Sequence, residues 1–223
     1  MFWKINFIIK GSNRFKMEEQ QKVWDEIAKQ WFHFRQKPFK DLDKILNNAT
    51  SWKNGKILDI GCGNCRNLLP FAKAGFQCYG IDFSKEMLKY AKQFADENKF
   101  KVQLKQANAQ NIPFKDVSFD YALSIATLHH LNKGQQIRAL QEMLRVLKKG
   151  GKAIITVWNK LQPKFIFKKR ELMIPWHMQG KVYQRYYYIF NFWELRKLLK
   201  NIGFKIIYSG PILGKNIVFI VEK

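Results

Sequence analysis

The sequence predicts an α/β protein: a seven-stranded, mostly parallel sheet with helices on both faces and a C-terminal antiparallel strand. Three observations carry this. From residue 57 onward, short runs rich in Ile, Leu and Val alternate with helical patterns. The early runs are apolar throughout, as strands covered on both faces must be. The last two runs are joined by a connection short enough for an antiparallel pair.

The elements follow in order. Residues 18–35 read as a helix, with Val23, Trp24, Ile27, Trp31 and Phe34 at helical spacing. Lys37-Pro38 ends it, and residues 42–49 suggest a second short helix. Residues 57–60 form the first strand. A glycine turn and a helix over 67–74 follow, stopped by Gly75. Residues 77–81 are the second strand. Ser84 is placed as the N-cap of the next helix, with Met87, Leu88 and Ala91 on its buried face. Residues 101–106 and 119–125 are strands. Residues 135–147 are an amphipathic helix that the glycines at 150 and 151 close, before a strand over 152–158. A helix over 192–202 and strands over 204–208 and 217–221 complete the set. Residues 1–16 are expected to be a poorly ordered extension of a single domain spanning 17–223. Residues 160–190 stand out as an insertion or lid on the substrate side.

The 223 residues suffice for one sizeable core and are short for two. Lys and Arg number 40 against 17 Asp and Glu, a net charge of +23. Such a surplus favours a polyanion through counterion release, with nucleic acid ahead of a membrane surface. A lysine-rich composition accounts for part of the count but less well for the scarcity of acids. No apolar run approaches a membrane span. The opening MFWKINFIIK lacks the continuous apolar stretch and cleavage site of a secretory signal. A cytoplasmic location is therefore expected. Three cysteines do not make a disulfide framework. The Cys62–Cys65 spacing lacks a second pair or nearby His for zinc, and small residues filling a crowded turn is the better reading.

In open α/β sheets the ligand lies at the carboxyl ends of the strands, where strand order reverses. The first βα turn, Gly61 to Cys65, takes that position. It lacks the third glycine of a dinucleotide fingerprint, since Arg66 stands there, and no Lys-Ser/Thr marks a P-loop. Two glycines still let backbone approach a small nucleoside. One strand later Asp82 ends Tyr79-Gly80-Ile81-Asp82, where a carboxylate can accept from both ribose hydroxyls.

The series Leu58-Asp59-Ile60-Gly61-Cys62-Gly63, Gly80-Ile81-Asp82, Ala109-Gln110-Asn111-Ile112-Pro113-Phe114 and Phe119-Asp120 resembles the motifs of class I S-adenosylmethionine-dependent methyltransferases, which carry a Rossmann-like sheet. The resemblance implies S-adenosylmethionine as cofactor, with contacts from Asp59, Gly61, Gly63, Asp82, Phe83, Asn108, Ala109 and Ile125. Two departures stand out: Cys65 replaces a frequent third glycine, and Asn108 replaces a usual Asp. Asn still accepts a hydrogen bond, so altered affinity is expected.

Trp24-Asp25-Glu26-Ile27-Ala28 with Phe34-Arg35-Gln36-Lys37-Pro38-Phe39 is similar to the N-terminal signature of the tRNA wobble-uridine carboxymethyl methyltransferases. Ser124 through His130 resembles their substrate-side motif. Ile174-Pro175-Trp176-His177 and the block from Gln184 to Phe190 resemble their C-terminal one. This implies methyl transfer to a carboxymethyl group on wobble uridine of an anticodon loop. It also implies a heterodimer with a small zinc-binding activator protein. An ionised carboxylate acceptor needs no general base but does need donors to hold it. Arg35, His129 and His130 are the candidates for the reacting group, with Arg35 as the carboxylate or phosphate clamp. Lys37, His177, Arg185 and Tyr186 are candidates for substrate binding, and no metal ligands are expected. One histidine of the pair is expected to serve the core instead. Aromatics among cations at 164–170 and 181–190 suit stacking on unpaired bases, although each ring equally suits the core. Two other readings share these residues. One is a small-molecule methyltransferase, which the charge disfavours. The other is a non-catalytic cofactor-binding subunit of an RNA-modification complex, to which Cys65 and Asn108 would be suited.

Overall fold

The structure, a computed structural model, describes residues 17–40, 42, 52 and 54–223. The predicted extension 1–16 and most of the predicted helix 42–49 lie outside the described residues. Seven strands form the main sheet: β1 (Lys56–Ile60), β2 (Gln77–Asp82), β3 (Val102–Gln106), β4 (Phe119–Ile125), β5 (Leu147–Trp158), β8 (Lys205–Ser209) and β9 (Asn216–Glu222). Their spatial order is β3-β2-β1-β4-β5-β9-β8. β1 to β5 pair in parallel, while β9 runs antiparallel to both β5 and β8. The predicted sheet is therefore the one observed. Its order reverses between β1 and β4, which opens a crevice beyond their carboxyl ends.

Helices α2 (Leu69–Lys73), α3 (Lys85–Glu97), α4 (Lys133–Val146) and α5 (Phe192–Ile202) flank the sheet, and α1 (Met17–Phe34) packs against α3. Ser84 caps α3 as predicted, its hydroxyl accepting from Met87 N–H at 3.0 Å. Asp25 of α1 accepts from the Ser84 hydroxyl at 2.6 Å and from Glu86 N–H at 3.2 Å, which fastens α1 to the start of α3. Asn132 and Gln135 form a reciprocal capping box at α4. Among the described residues no helix is long and apolar enough to cross a membrane.

Two boundaries differ from the sequence reading. The helix expected over 67–74 is a 3-10 turn, Arg66–Leu68, followed by the short α2 with Pro70 in its first turn. The helix expected over 135–147 stops at Val146, because Leu147 is already extended and pairs with Phe119 in the sheet. The glycines at 150 and 151 therefore do not close the helix. They turn the chain inside β5, where pairing jumps from Phe119–Leu147 to Tyr121–Lys152. A Cβ on Gly151 would lie 2.8 Å from the Lys148 carbonyl oxygen.

Within 160–190 lies a separate two-stranded ribbon, β6 (Glu171–Met178) and β7 (Lys181–Tyr188), turning at Gln179 and Gly180 with φ of 50° and 74°. Two positive-φ residues make the tight hairpin turn whose twist matches the strands. The ribbon lies against α1. Gln20 donates to Gln184 O at 3.2 Å and accepts from Tyr186 N–H at 2.9 Å. The Trp176 ring N–H donates to Gln30.

Candidate active site

The chain leaves β1 at Ile60 and turns at Gly61 and Gly63, with φ of 72° and 54°. A Cβ at Gly61 would sit 2.3 Å from Thr127 Cγ2, so the end of β4 presses directly on the loop. A Cβ at Gly63 would meet nothing within 4 Å, so backbone there faces open space. Cys62 is buried against Gly80, where an added Cβ would lie 2.9 Å from its sulfur. Cys65 adopts φ 53°, the left-handed conformation that glycine favours, and its thiol donates to Ala91 O at 3.1 Å. Burial raises the pKa of all three cysteines, so each is a packed thiol. The left-handed backbone is retained at the position of the missing glycine, with the thiol turned into the core.

Asp82 ends β2 beside this loop. One carboxylate oxygen accepts from Gly63 N–H and the other from Ser84 N–H, both at 2.9 Å. Each oxygen keeps an acceptor site. Burial raises its pKa to about 6, with the backbone N–H groups of Ser84, Gly63 and Phe83 working against that rise. Asp59 on β1 is also buried, neither oxygen has a hydrogen-bond partner, and burial pushes its pKa to about 7. Arg66 opposes that rise, while its own pKa is lowered to about 10 by burial and by Arg35.

A cavity of about 400 Å³ occupies the crevice, a volume suited to a nucleoside-sized ligand. Of the residues predicted from sequence, Arg35, Lys37, Gly61, Gly63, Asp82, Phe83, Asn108, Ala109, Ile125, His129 and His130 border it. Asp59 lies behind the wall rather than on it. Sequence reasoning missed Arg66, Gln110, Thr127, Trp158 and Tyr187, which also border the cavity. The side-chain nitrogen of Gln110 is buried there without a partner. In the sequence Arg66 marks only an absent glycine; its place at the start of the helical turn after the loop is the signal that points to the cavity.

The two histidines occupy one 3-10 turn, Leu128–His130, so strand alternation does not part them and both face the cavity. His129 Nδ1 accepts from Trp158 N–H at 3.2 Å, and His130 Nδ1 donates to Tyr186 O at 3.0 Å. Burial lowers both pKa values, that of His130 to about 3. Both rings are therefore neutral, so of the three candidates for the reacting group Arg35 alone carries charge.

The ribbon splits the remaining candidates. Cross-strand register puts Ile174, Trp176, Tyr183, Arg185 and Tyr187 on one face. Arg185 is buried there behind Trp31 and Tyr187. Its guanidinium lies 4.8 Å from the Trp176 ring centre and 5.9 Å from those of Trp24 and Trp31. It donates to the Tyr187 hydroxyl at 3.0 Å, and its Nε has no hydrogen-bond partner. His177 is on the opposite, exposed face. Tyr186 and Tyr188 share that face but are buried at its root in the core. Neither His177 nor Tyr186 borders the cavity. Tyr186, Tyr187 and Tyr188 are all buried, so the ring-by-ring balance between RNA contact and core filling falls to the core.

Residues 58–155 match the family profile of a methyltransferase domain. The chain is 28% identical over 224 residues to the tRNA (carboxymethyluridine(34)-5-O)-methyltransferase of Schizosaccharomyces pombe, covering 88% of this chain and 92% of that protein. It is 32% identical over 217 residues to an uncharacterized protein of Methanocaldococcus jannaschii, covering 88% of this chain and 79% of that one. A solved S-adenosylmethionine-dependent methyltransferase of Methanosarcina mazei superposes with a TM-score of 0.70 at 24% identity, over 80% of this chain and 96% of its own. The cavity fits that cofactor. Open backbone at Gly63, two spare acceptor sites on Asp82 and the unmatched donor of Gln110 are what a ribose and a nucleobase require. From its sheet order, its glycine loop and the profile matched over residues 58–155, the chain carries a methyltransferase domain with the fold of the class I S-adenosylmethionine-dependent enzymes.

Proposed function

We propose that this methyltransferase acts on tRNA, placing the methyl group on a carboxymethyl substituent of the wobble uridine. The observation that carries this reading is the charge of the cavity wall. Arg35, Lys37 and Arg66 border it, and Asp82 is the one carboxylate among the described lining residues. Such a wall suits an anionic acceptor. The relative from S. pombe, named for this reaction, aligns along most of the chain and supports it.

When bound, S-adenosylmethionine supplies an electrophilic methyl group on a sulfonium centre. Gly61, Gly63, Asp82, Phe83, Asn108, Ala109 and Ile125 would hold it, with Gln110 added from the structure. Asp59 would act from behind the loop as a buried negative charge attractive to a cationic ligand. An ionised carboxylate is already nucleophilic, so the protein's part is to orient it, offset its desolvation and keep water out. Arg35 is the clamp in this reading. Its guanidinium rests over Trp31 at 5.2 Å and is not committed to a carboxylate in any ion pair among the described residues. Lys37 stands next to it. Arg185, caged with no acidic partner among the described residues, adds positive potential from behind the aromatic wall. His129 and His130 act as neutral hydrogen-bonding groups. Tyr186 contributes through its main chain, which orients His130 and Gln20. His177, on the exposed face of the ribbon, is left as an outer contact to RNA. The region 160–190 would serve as the lid, and a small zinc-binding activator protein would complete a cytoplasmic heterodimer.

The test is mass spectrometry of tRNA nucleosides after incubation with the protein, the activator and S-adenosylmethionine. The reading expects a mass gain of one methyl on carboxymethyluridine. Transfer to a small-metabolite extract instead, with tRNA untouched, would refute it.

A further inference from the structure

We propose that residues 160–170 form a preformed RNA-contact tip, in which Phe167 stacks on an unpaired base while Lys168 and Lys169 meet the adjoining phosphates. This rests on the reading that the substrate is tRNA.

Phe167 is 97% exposed, the most exposed large apolar side chain among the described residues. An isolated exposed apolar residue is common on loose loops, but this segment is built. Gln162 O accepts from Phe165 N–H at 2.8 Å, and Phe165 O accepts from Lys168 N–H at 2.9 Å. The Lys160 ammonium donates to the carbonyls of Phe165, Ile166 and Lys168, closing the turn from inside. Phe165 is buried and stacks on Trp158 at 5.5 Å. Trp158 in turn stacks on Tyr187 at 4.5 Å and borders the cavity. The ring of Phe167 is thus carried on a tip anchored to the wall of the active site.

The flanking charge selects the partner. Lys164 lies over the Trp158 and Phe165 rings. Lys168 and Lys169 are exposed and enter no ion pair among the described residues, whereas Arg170 is paired with Glu194. An exposed ring beside unneutralised ammonium groups matches a single-stranded nucleic acid, whose bases offer faces and whose backbone offers charge. A tip that is already ordered loses little conformational entropy on binding.

The test compares affinities of the full chain for an anticodon stem-loop RNA and for a blunt duplex RNA without unpaired bases. Phe167→Ala is expected to weaken stem-loop binding roughly tenfold and leave duplex binding alone. Phe167→Trp should retain the affinity. The double variant Lys168→Ala/Lys169→Ala should weaken both RNAs and flatten the salt dependence. Unchanged melting temperature and unchanged S-adenosylmethionine binding show that the variants are folded. Wild-type binding to the stem-loop with Phe167→Ala indistinguishable, or weakened equally on both RNAs, overturns this proposal and leaves the tRNA reading standing. Loss of a co-purifying protein with RNA affinity intact assigns the tip to a protein partner and likewise overturns it. Failure of the wild-type chain to bind either RNA overturns the tRNA reading and this proposal together.

Discussion

Gly61 excludes a side chain on two separate grounds: its φ of 72°, and the 2.3 Å that would part a Cβ from Thr127 Cγ2. Gly61→Ala is expected to cost more than about 3 kcal/mol in denaturant unfolding. Adding Thr127→Ala removes the two nearest atoms but leaves a Cβ at 3.1 Å, so it should recover part of the loss and leave that residual crowding and roughly 1 kcal/mol of left-handed strain. An Asp82 carboxyl that titrates at about 6 makes a second prediction. Only the ionised form accepts from two hydroxyls. Cofactor affinity, measured by calorimetry, should be full above about pH 7 and decline as pH falls through about 6, approaching tenfold per unit below it. Asp82→Asn should flatten that profile at low affinity. The sign for folding is opposite. The ordinary value is 3.8, so the ligand-free fold holds the extra proton between about pH 4 and 6. The stability this contributes is lost as pH rises through about 6. Ligand that prefers the carboxylate reverses the trend.

At the scale of elements, α4 fixes the loop that carries Asn108, Ala109 and Gln110. Arg145 donates to Ile112 O and Phe114 O, both at 2.9 Å, and to Asp116 at 2.7 Å. Glu142, paired with Arg145, accepts from Ile112 N–H at 2.8 Å. Arg145→Met is expected to weaken cofactor binding roughly fivefold without touching the ligand, and to cost about 1–3 kcal/mol of stability. Hydrogen exchange should show residues 107–118 opening while β1 and β4 remain protected. α1 does the same for the ribbon through Gln20, whose amide serves one buried N–H and one carbonyl of β7. Gln20→Ala leaves both unmatched. It should raise exchange across β7 and, on the proposed function, which puts the ribbon and His130 beside the acceptor, lower the rate of methyl transfer more than cofactor affinity.

At the scale of the molecule, the charge of +23 makes a thermodynamic prediction. Affinity for tRNA should fall steeply with salt, with a log–log slope near −4 if about six phosphates are neutralised. A slope shallower than about −1 would mean that the surplus serves solubility rather than binding. Burial makes ionisation costly at Asp59 and Asp82, and Arg66 beside Asp59 and the backbone N–H donors at Asp82 offset only part of that cost.

The sheet, its antiparallel last strand and the position of the crevice were legible because strand burial and the 3.6-residue helix period are written in local hydrophobic order. The glycine loop and Asp82 were legible because backbone sign and strand-end placement are local as well. Other features waited on long-range packing. Val146 ends α4 because Leu147 is claimed by Phe119 across the sheet, not because glycines follow. His129 and His130 both face the cavity because Trp158 and Tyr186, distant in sequence, fix their rings and deny them water. Tyr186, Tyr187 and Tyr188 are all buried because the ribbon root is covered on both faces, which alternation alone does not disclose. Sequence by itself determined the scaffold and the cofactor loop, whose causes act between near neighbours. Tertiary structure alone decided which side chains stay charged and which border the cavity, because solvent exclusion is a property of everything packed around them.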